Sequence, residues 1–170
     1  MFELKISDLQ DALHLSPNWA TQTISLLDPG IENYGFAIPI PVANQDGNLR
    51  RYFFHDLRGE HDHNFLIYLT EEPIPVPATL QQIRDILAFT APLQSMDKLL
   101  VHCHAGISRS TAVACGILCQ HGLTPSEAAE YVVSIRPQAS PNKHVLTLFD
   151  DILGLEGKLV VAGTKDIFNL

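Results

Sequence analysis

The sequence predicts one α/β domain with a mainly parallel central sheet flanked by helices. Strand-like and helix-like segments alternate along the chain, which is typical of that fold class. A short apolar segment at 98–102 leads into an apolar helix, as buried parallel strands do. The length of 170 residues suits a single domain, which we place at 1–170, with a core of about 20–153 and a tail at 155–170.

The chain begins with one short helix and one strand. Ser7 and Gln10 have capping-box spacing before a short apolar stripe, and this predicts a helix over about 8–14. Residues 23–27 are expected to form a strand, because the turn sequence Asp-Pro-Gly follows them at 28–30.

The next segments are extended rather than helical. Two prolines exclude a helix at 34–42 and indicate a strand end or edge. A turn at 44–48 precedes a second strand at 49–57. The irregular stretch at 58–77 contains three prolines and predicts a long loop, and such loops in compact domains are more often functional than decorative.

The second half of the chain has clearer helix signals. Thr124, Pro125 and Glu127 combine an N-cap, a proline at the first helical position and a capping-box carboxylate. The helices predicted here cover 78–90, 110–120 with an end at Gly122, 124–135, and a last helix that begins near 141–142, covers 145–153 and ends at Gly154.

Composition and charge exclude several classes of protein. Apolar residues form 46% of the chain and charged residues 18%, so a disordered or collagen-like chain is excluded. The net charge of −8 and the scattered basic residues argue against a nucleic-acid partner. No apolar run approaches the roughly 18 residues of a membrane span, and the start of the chain lacks a signal-peptide pattern, so no membrane association is expected. Three cysteines without disulfide spacing fit a reduced, cytoplasmic setting.

The residues suited to chemistry are concentrated in VHCHAGISRST at 101–111, between a buried strand and a helix. Such a loop presents backbone N–H groups and the positive end of a helix dipole, which suits it to phosphate. The same groups stabilise the reactive thiolate form of Cys103. Gly106 and Ala105 let the backbone curve closely around an anion. Arg109 offers a planar guanidinium for two phosphoryl oxygens.

Ser110 follows Arg109 and can donate a hydrogen bond to the cysteine sulfur when that sulfur leaves phosphorus. The string HCHAGISRS resembles the signature loop of the cysteine-dependent protein tyrosine phosphatases, in particular their compact, dual-specificity-like branch. The resemblance implies that Cys103 is the nucleophile, Arg109 binds phosphate and Ser110 aids breakdown of the intermediate. It assigns the substrate-binding loop to His104, Ala105, Gly106, Ile107, Ser108 and Arg109.

The general acid in that family is an aspartate on a loop after an upstream strand. Asp56, at the end of the expected strand at 49–57, is the best match. Its spacing from the nucleophile is longer than is usual for compact members, and the extra length falls in the 58–77 loop. Asp62, Glu71 and Glu72 therefore remain alternatives.

Two further positions support the loop in the resemblance. His102, directly before the nucleophile, tunes the thiolate through indirect hydrogen bonds, and Asn142 braces the loop. Zinc ligation by His102, Cys103 and His104 is disfavoured because Arg109 would repel the cation.

The other titratable side chains are given structural roles. Cys115 and Cys119 are expected to fill the core of a helix. His55, His61 and His63 with Asp62 are expected on a solvated loop, so that no metal is assigned.

From this resemblance we expect a phosphomonoesterase that works through a phosphocysteine intermediate without a cofactor. Its expected partner is a phosphoprotein or phosphopeptide carrying phosphotyrosine, with phosphoserine and phosphothreonine as further substrates. The alternatives are a phosphotyrosine-binding scaffold module without turnover, or a phosphoinositide or RNA phosphatase with the same loop chemistry. The oligomeric state is left open.

Overall fold

The computed structural model describes residues 1–31, 38–43, 45, 48–57 and 75–165. Within them, four strands form one sheet in the order β1-β4-β2-β3, and every neighbouring pair is parallel. The described strands are β1 (Glu3–Ser7), β2 (Gln22–Leu27), β3 (Asn48–Phe53) and β4 (Lys98–His102), and the described helices are α1 (Leu9–Asn18), α2 (Leu80–Thr90), α3 (Arg109–Gln120), α4 (Pro125–Ile135), α5 (Lys143–Leu153) and α6 (Lys158–Gly163). The predicted α/β class with a parallel sheet is confirmed.

The strand that carries the signature loop lies inside the sheet. β4 pairs with β1 on one side and β2 on the other, so that His102 lies between Ser7 and Ser25. Its apolar residues Leu99 and Val101 are fully buried. Because parallel strands all end at the same edge of a sheet, the segments that follow β2, β3 and β4 meet there.

Helix α3 forms the centre of the core on one face of the sheet. Every residue from Arg109 to Leu118 is buried, which fits the apolar sequence of this helix. Gly116 lies against the ring of Phe149 on α5, and a Cβ atom at Gly116 would overlap that ring. The glycine therefore sets how closely α3 and α5 pack.

The helix ends follow the signals in the sequence. At α4, Thr124 N donates to Glu127 at 2.8 Å and Glu127 N donates to Thr124 Oγ1 at 3.3 Å, which is the predicted capping box. At α5, Val145 N donates to Asn142 Oδ1 at 3.0 Å, and the helix ends at Gly154 with φ 65°, in the left-handed region that glycine tolerates.

The amino-terminal segment differs from the expectation. The helix predicted over 8–14 runs from Leu9 to Asn18, and its cap is Asp8, whose Oδ1 accepts from Asp11 N at 2.9 Å, rather than Ser7. Before it, residues 3–7 form β1, a strand that the sequence reasoning missed. This strand is only five residues long and has no turn signal of its own. It is stabilised by pairing with β4, which is distant in the sequence, so a local pattern does not reveal it.

The middle of the chain is only partly described. The strand expected at 49–57 covers Asn48–Phe53, and beyond it the His55 amide bonds to the Val76 carbonyl at 2.8 Å. Residues 38–43 contain no strand. Three segments with sequence-based predictions are only partly described, namely 34–42, 44–48 and 58–77. Residues 34–37, 44, 46–47 and 58–74 of these segments lie outside the described residues.

Helix α6 continues the fold beyond Gly154, where the sequence reasoning ended its last helix. The carboxylate of Asp150, on α5, is 3% exposed and accepts from Gly157 N at 3.0 Å and Val160 N at 2.7 Å. Gly163 lies against Leu146. Among the described residues, no helix is long and apolar enough to cross a membrane.

Candidate active site

The loop at 103–108 joins the end of β4 to the start of α3 and turns sharply at Gly106. This residue has φ +67°, a conformation that side-chain-bearing residues rarely adopt. A Cβ atom there would lie 2.6 Å from the Ser7 carbonyl carbon and 2.7 Å from Asp8 N. Glycine is therefore required at position 106 for its backbone conformation and for space.

Groups outside the loop hold its carbonyls. The His104 carbonyl accepts from Leu9 N at 3.0 Å, and the Ile107 carbonyl accepts from Ser140 N at 2.8 Å. The Ser108 carbonyl accepts from Asn142 N at 3.1 Å. These donors come from the start of α1 and from the segment before α5, so that distant parts of the chain fix the shape of the loop.

Arg136, at the end of α4, completes this outer bracing. Its Nε donates to the Gly106 carbonyl at 2.9 Å and its Nη2 to the Ala105 carbonyl at 3.1 Å. The same guanidinium lies 3.7 Å from the Asp8 carboxylate. In a trans peptide the N–H points opposite to the preceding C=O. Because the carbonyls of 104–108 point outward, the amides of 105–109 point to the inner side of the loop.

The Cys103 sulfur lies on that inner side of the loop. The side chain is 2% exposed, and its Sγ accepts from Gly106 N at 3.2 Å. Ser110 Oγ, fully buried at the first turn of α3, lies 3.2 Å from the same sulfur. Two hydrogen-bonding groups thus face the sulfur, and both can stabilise negative charge on it.

Arg109 is held by groups outside the loop. Its Nη1 donates to Asp28 Oδ1 at 2.8 Å and to the Phe54 carbonyl at 2.7 Å. Its Nε is buried and has no hydrogen-bond partner among the described residues. The guanidinium is therefore anchored through Nη1.

Asp56 lies beside the loop and is held there by two donors. Its Oδ1 accepts from Ser108 Oγ at 2.6 Å and from Asn142 Nδ2 at 2.7 Å. Asn142 Nδ2 also donates to the Leu57 carbonyl at 3.0 Å. Asn142 thus contacts both the loop and Asp56.

An open cleft of about 510 Å³ connects these groups. It is lined by Asp28, His55, Asp56, Leu57, Cys103, His104, Ala105, Ile107, Ser108 and Arg109. The structure therefore brings together the residues assigned as nucleophile, phosphate-binding arginine and preferred general acid. The alternative acids Asp62, Glu71 and Glu72, together with His61 and His63, lie outside the described residues.

His102 lies under the loop as a neutral side chain. It is fully buried, and burial lowers its pKa to about 4. Its Nδ1 lies 3.4 Å from the Cys103 carbonyl oxygen, and its Nε2 has no partner among the described residues. The contact to Cys103 is therefore through the backbone rather than through the sulfur.

The remaining cysteines have a different environment. Burial raises the pKa of the Cys115 thiol far above its usual range and that of Cys119 to about 11. Both lie on α3 in or against the core, which fits the expected packing role. No group of three or more histidine, cysteine or carboxylate side chains that could hold a metal occurs within the described ranges.

Two residues of the site were missed by sequence reasoning. Asp28 was assigned only to a turn, and Arg136, directly after the helix predicted at 124–135, was given no role. Their partners, Arg109 and the carbonyls at 105–106, are far away in the sequence, so that no local pattern indicates either contact.

Comparisons with known proteins agree with this geometry. The family described as dual specificity phosphatase, catalytic domain, matches residues 20–151. A 55-residue segment is 42% identical to Dual specificity protein phosphatase 1 of Arabidopsis thaliana, and this match covers 32% of the chain and only 28% of the plant protein.

Solved structures share the fold at low sequence identity. The crystal structure of human DUSP28 superposes with a TM-score of 0.63 at 22% identity, over 90% of this chain and 94% of that chain. A mouse putative dual specificity phosphatase complexed with zinc tungstate gives 0.61 at 23% identity, over 91% and 86%. PTPMT1 in complex with PI(5)P gives 0.60 at 17% identity, over 94% and 93%. With its family match covering most of its length, this chain belongs to the dual specificity phosphatase family.

Proposed function

We propose that this chain hydrolyses phosphomonoesters on protein side chains, with phosphotyrosine as the principal substrate and phosphoserine and phosphothreonine as further ones. One observation carries the proposal: Cys103, Arg109 and residues of the loop between them line a single cleft together with Asp56. A nucleophile, an oxyanion site and a carboxylic acid are the groups that phosphoryl transfer to cysteine needs.

In the first step, the Cys103 thiolate attacks phosphorus and the bond from phosphorus to the ester oxygen breaks. Arg109 and the loop amides hold the three non-bridging oxygens as these move toward the equatorial plane. Asp56 gives its proton to the leaving oxygen. Because Oδ1 of Asp56 accepts two hydrogen bonds, Oδ2 is the oxygen suited to carry that proton.

In the second step, a water molecule attacks the phosphocysteine and the sulfur–phosphorus bond breaks. Asp56, now ionised, takes a proton from the water. Ser110 donates a hydrogen bond to the departing sulfur, which lies 3.2 Å from its Oγ. Inorganic phosphate leaves, and the thiolate is restored. No metal or cofactor takes part in these steps.

The two competing functions differ from this proposal in turnover and in substrate. A phosphotyrosine-binding scaffold module would retain the pocket without hydrolysis. A phosphoinositide phosphatase is favoured by one comparison, since PTPMT1 was solved with PI(5)P. An RNA phosphatase would use the same loop, but the net charge of −8 opposes a polyanionic substrate.

One assay separates these functions. The purified chain is tested on an aryl phosphate with and without a chelator, beside Cys103→Ser and Asp56→Asn. We expect hydrolysis that the chelator leaves unchanged, no turnover by Cys103→Ser, and a turnover reduced about 100-fold or more by Asp56→Asn. An inactive wild type would favour the binding module. Unchanged turnover in Asp56→Asn would move the acid to the 58–77 loop.

The proposed setting is the cytoplasm, and the proposed unit is one domain over 1–170. A buried thiol that must remain reduced for turnover fits a reducing compartment, and the described cysteines are all free.

A further inference from the structure

Asp28 contributes a second carboxylate to the cleft, in addition to Asp56. It follows the end of β2, and its Oδ1 accepts from Arg109 Nη1 at 2.8 Å. Arg109 is 3% exposed, whereas the Asp28 side chain is 39% exposed. The described residues supply no hydrogen bond to the other carboxylate oxygen, Oδ2. Asp28 therefore anchors the arginine with one oxygen and is open to the cleft with the rest of its carboxylate.

The charges of the cleft match a single phosphoryl group. Among the described residues that line it, Arg109 is the sole lysine or arginine, and two carboxylates, Asp28 and Asp56, lie beside it. In the proposed complex, the phosphoryl group binds Arg109 and the loop amides. Among the described lining residues, no lysine or arginine other than Arg109 would offset the repulsion between Asp28 and a second negative group on the substrate, whereas a positive group would be attracted.

We propose that Asp28 determines substrate specificity by selecting phosphopeptides with a basic residue beside the phosphorylated side chain. A lysine or arginine there pairs with Asp28 Oδ2, and an acidic residue or a second phosphate is repelled. The inference rests on the proposed function for the identity of the phosphate site. It concerns recognition around that site rather than the chemical steps.

The test compares two phosphotyrosine peptides that differ only in having lysine or glutamate on both sides of the tyrosine. We expect kcat/KM of the wild type to favour the lysine peptide about tenfold, which corresponds to ~1.4 kcal/mol. Asp28→Asn keeps an acceptor for Arg109 but loses the charge, and the ratio should fall to about twofold or less. Asp28→Glu keeps the charge and should retain most of the preference. Raised salt should reduce the wild-type ratio.

The matched control is Asp151→Asn. Asp151 is exposed on α5 and does not line the cleft, so this variant changes the net charge equally and should keep the wild-type ratio. Equal kcat/KM for both peptides in the wild type, or a full preference in Asp28→Asn, would overturn the inference. Faster hydrolysis of a soluble inositol polyphosphate than of either peptide would do the same.

A binding measurement distinguishes failure of the inference from failure of the proposed function. Affinities of Cys103→Ser for both peptides are measured with and without Asp28→Asn. If the wild type hydrolyses neither the peptides nor an aryl phosphate, the proposed function fails. The ratio of the two dissociation constants still decides the role of Asp28, because binding needs no turnover. A ratio near one in Cys103→Ser refutes that role.

Discussion

Asn142 connects the start of α5 to Asp56. Two different replacements of Asn142 separate its contribution to the helix cap from its contribution to the position of Asp56. Its Oδ1 caps α5 through Val145 N, while its Nδ2 donates to Asp56 Oδ1 and to the Leu57 carbonyl. Asn142→Ala removes both contributions. Asn142→Ser keeps a capping oxygen and removes the two Nδ2 hydrogen bonds.

The expected stability losses follow from the contacts. Loss of an N-cap costs about 1 kcal/mol. The Leu57 carbonyl loses its donor at a buried position, and an unsatisfied buried acceptor costs roughly 1–3 kcal/mol. We therefore expect a decrease in the free energy of unfolding of about 2–4 kcal/mol for Asn142→Ala and roughly 1–3 kcal/mol for Asn142→Ser. Urea denaturation followed by circular dichroism measures both.

The activity should fall equally in the two variants. Asp56 loses one of the two donors that hold Oδ1, and we expect kcat to fall about tenfold, a fraction of the 10²–10⁴ that a placed general acid contributes. The loss should be larger for phenyl phosphate, whose leaving group needs the proton more, than for p-nitrophenyl phosphate. KM should change little, since the phosphate-binding groups are untouched.

Thr124→Ala is the matched control, because it removes the N-cap of α4 without contacting the cleft. It should cost about 1 kcal/mol and leave kcat unchanged. An Asn142→Ser enzyme with wild-type kcat on phenyl phosphate would refute the reasoning that Asn142 positions Asp56.

Three further predictions concern the loop and the core. Ser110→Ala should slow the second step, because it removes the Oγ that lies 3.2 Å from the Cys103 sulfur. Stopped-flow traces on p-nitrophenyl phosphate should then show a burst followed by a slower steady state. Traces without a burst would contradict this role for Ser110. Gly116→Ala should lower the free energy of unfolding by about 1–3 kcal/mol, because the new Cβ atom overlaps the Phe149 ring. Urea denaturation measures this loss. Wild-type stability would show that α3 and α5 can move apart without cost. Arg136→Lys should raise KM for an aryl phosphate several-fold, since an ammonium group cannot reproduce the paired hydrogen bonds to two loop carbonyls. An unchanged KM would mean that the loop keeps its shape without these hydrogen bonds.

Local signals in the sequence were enough for the elements that have their own start and stop residues. Two helix ends were predicted correctly, one from the capping box at Thr124 and Glu127 and one from Gly154. The apolar run at 98–102 predicted β4. The strand β1 was not predictable in the same way, because its five residues are ordered by pairing with β4 rather than by their own pattern. Asp28 was missed for the same reason, since its partner Arg109 lies 81 positions away.

The fold of the loop explains why the residues proposed to react were easier to select from the sequence. Cys103, Gly106 and Arg109 lie within one short segment, so that their spacing in the sequence already limits their distances in space. The groups that shape this segment come from elsewhere, namely the start of α1, the end of α4 and the segment before α5. A motif therefore indicates candidates for the reactive residues but not the residues that orient them.

The outermost elements of the chain have a consequence for how this protein can be divided. The family match begins at residue 20 and ends at 151, yet β1 and α1 precede it and α6 follows it. A polypeptide limited to that interval would lack the Leu9 amide that binds the His104 carbonyl, and it would leave the Asp150 carboxylate without the two amides that accommodate it. The hydrogen bonds that hold the loop and the Asp150 carboxylate therefore extend at both ends beyond the segment shared with the family.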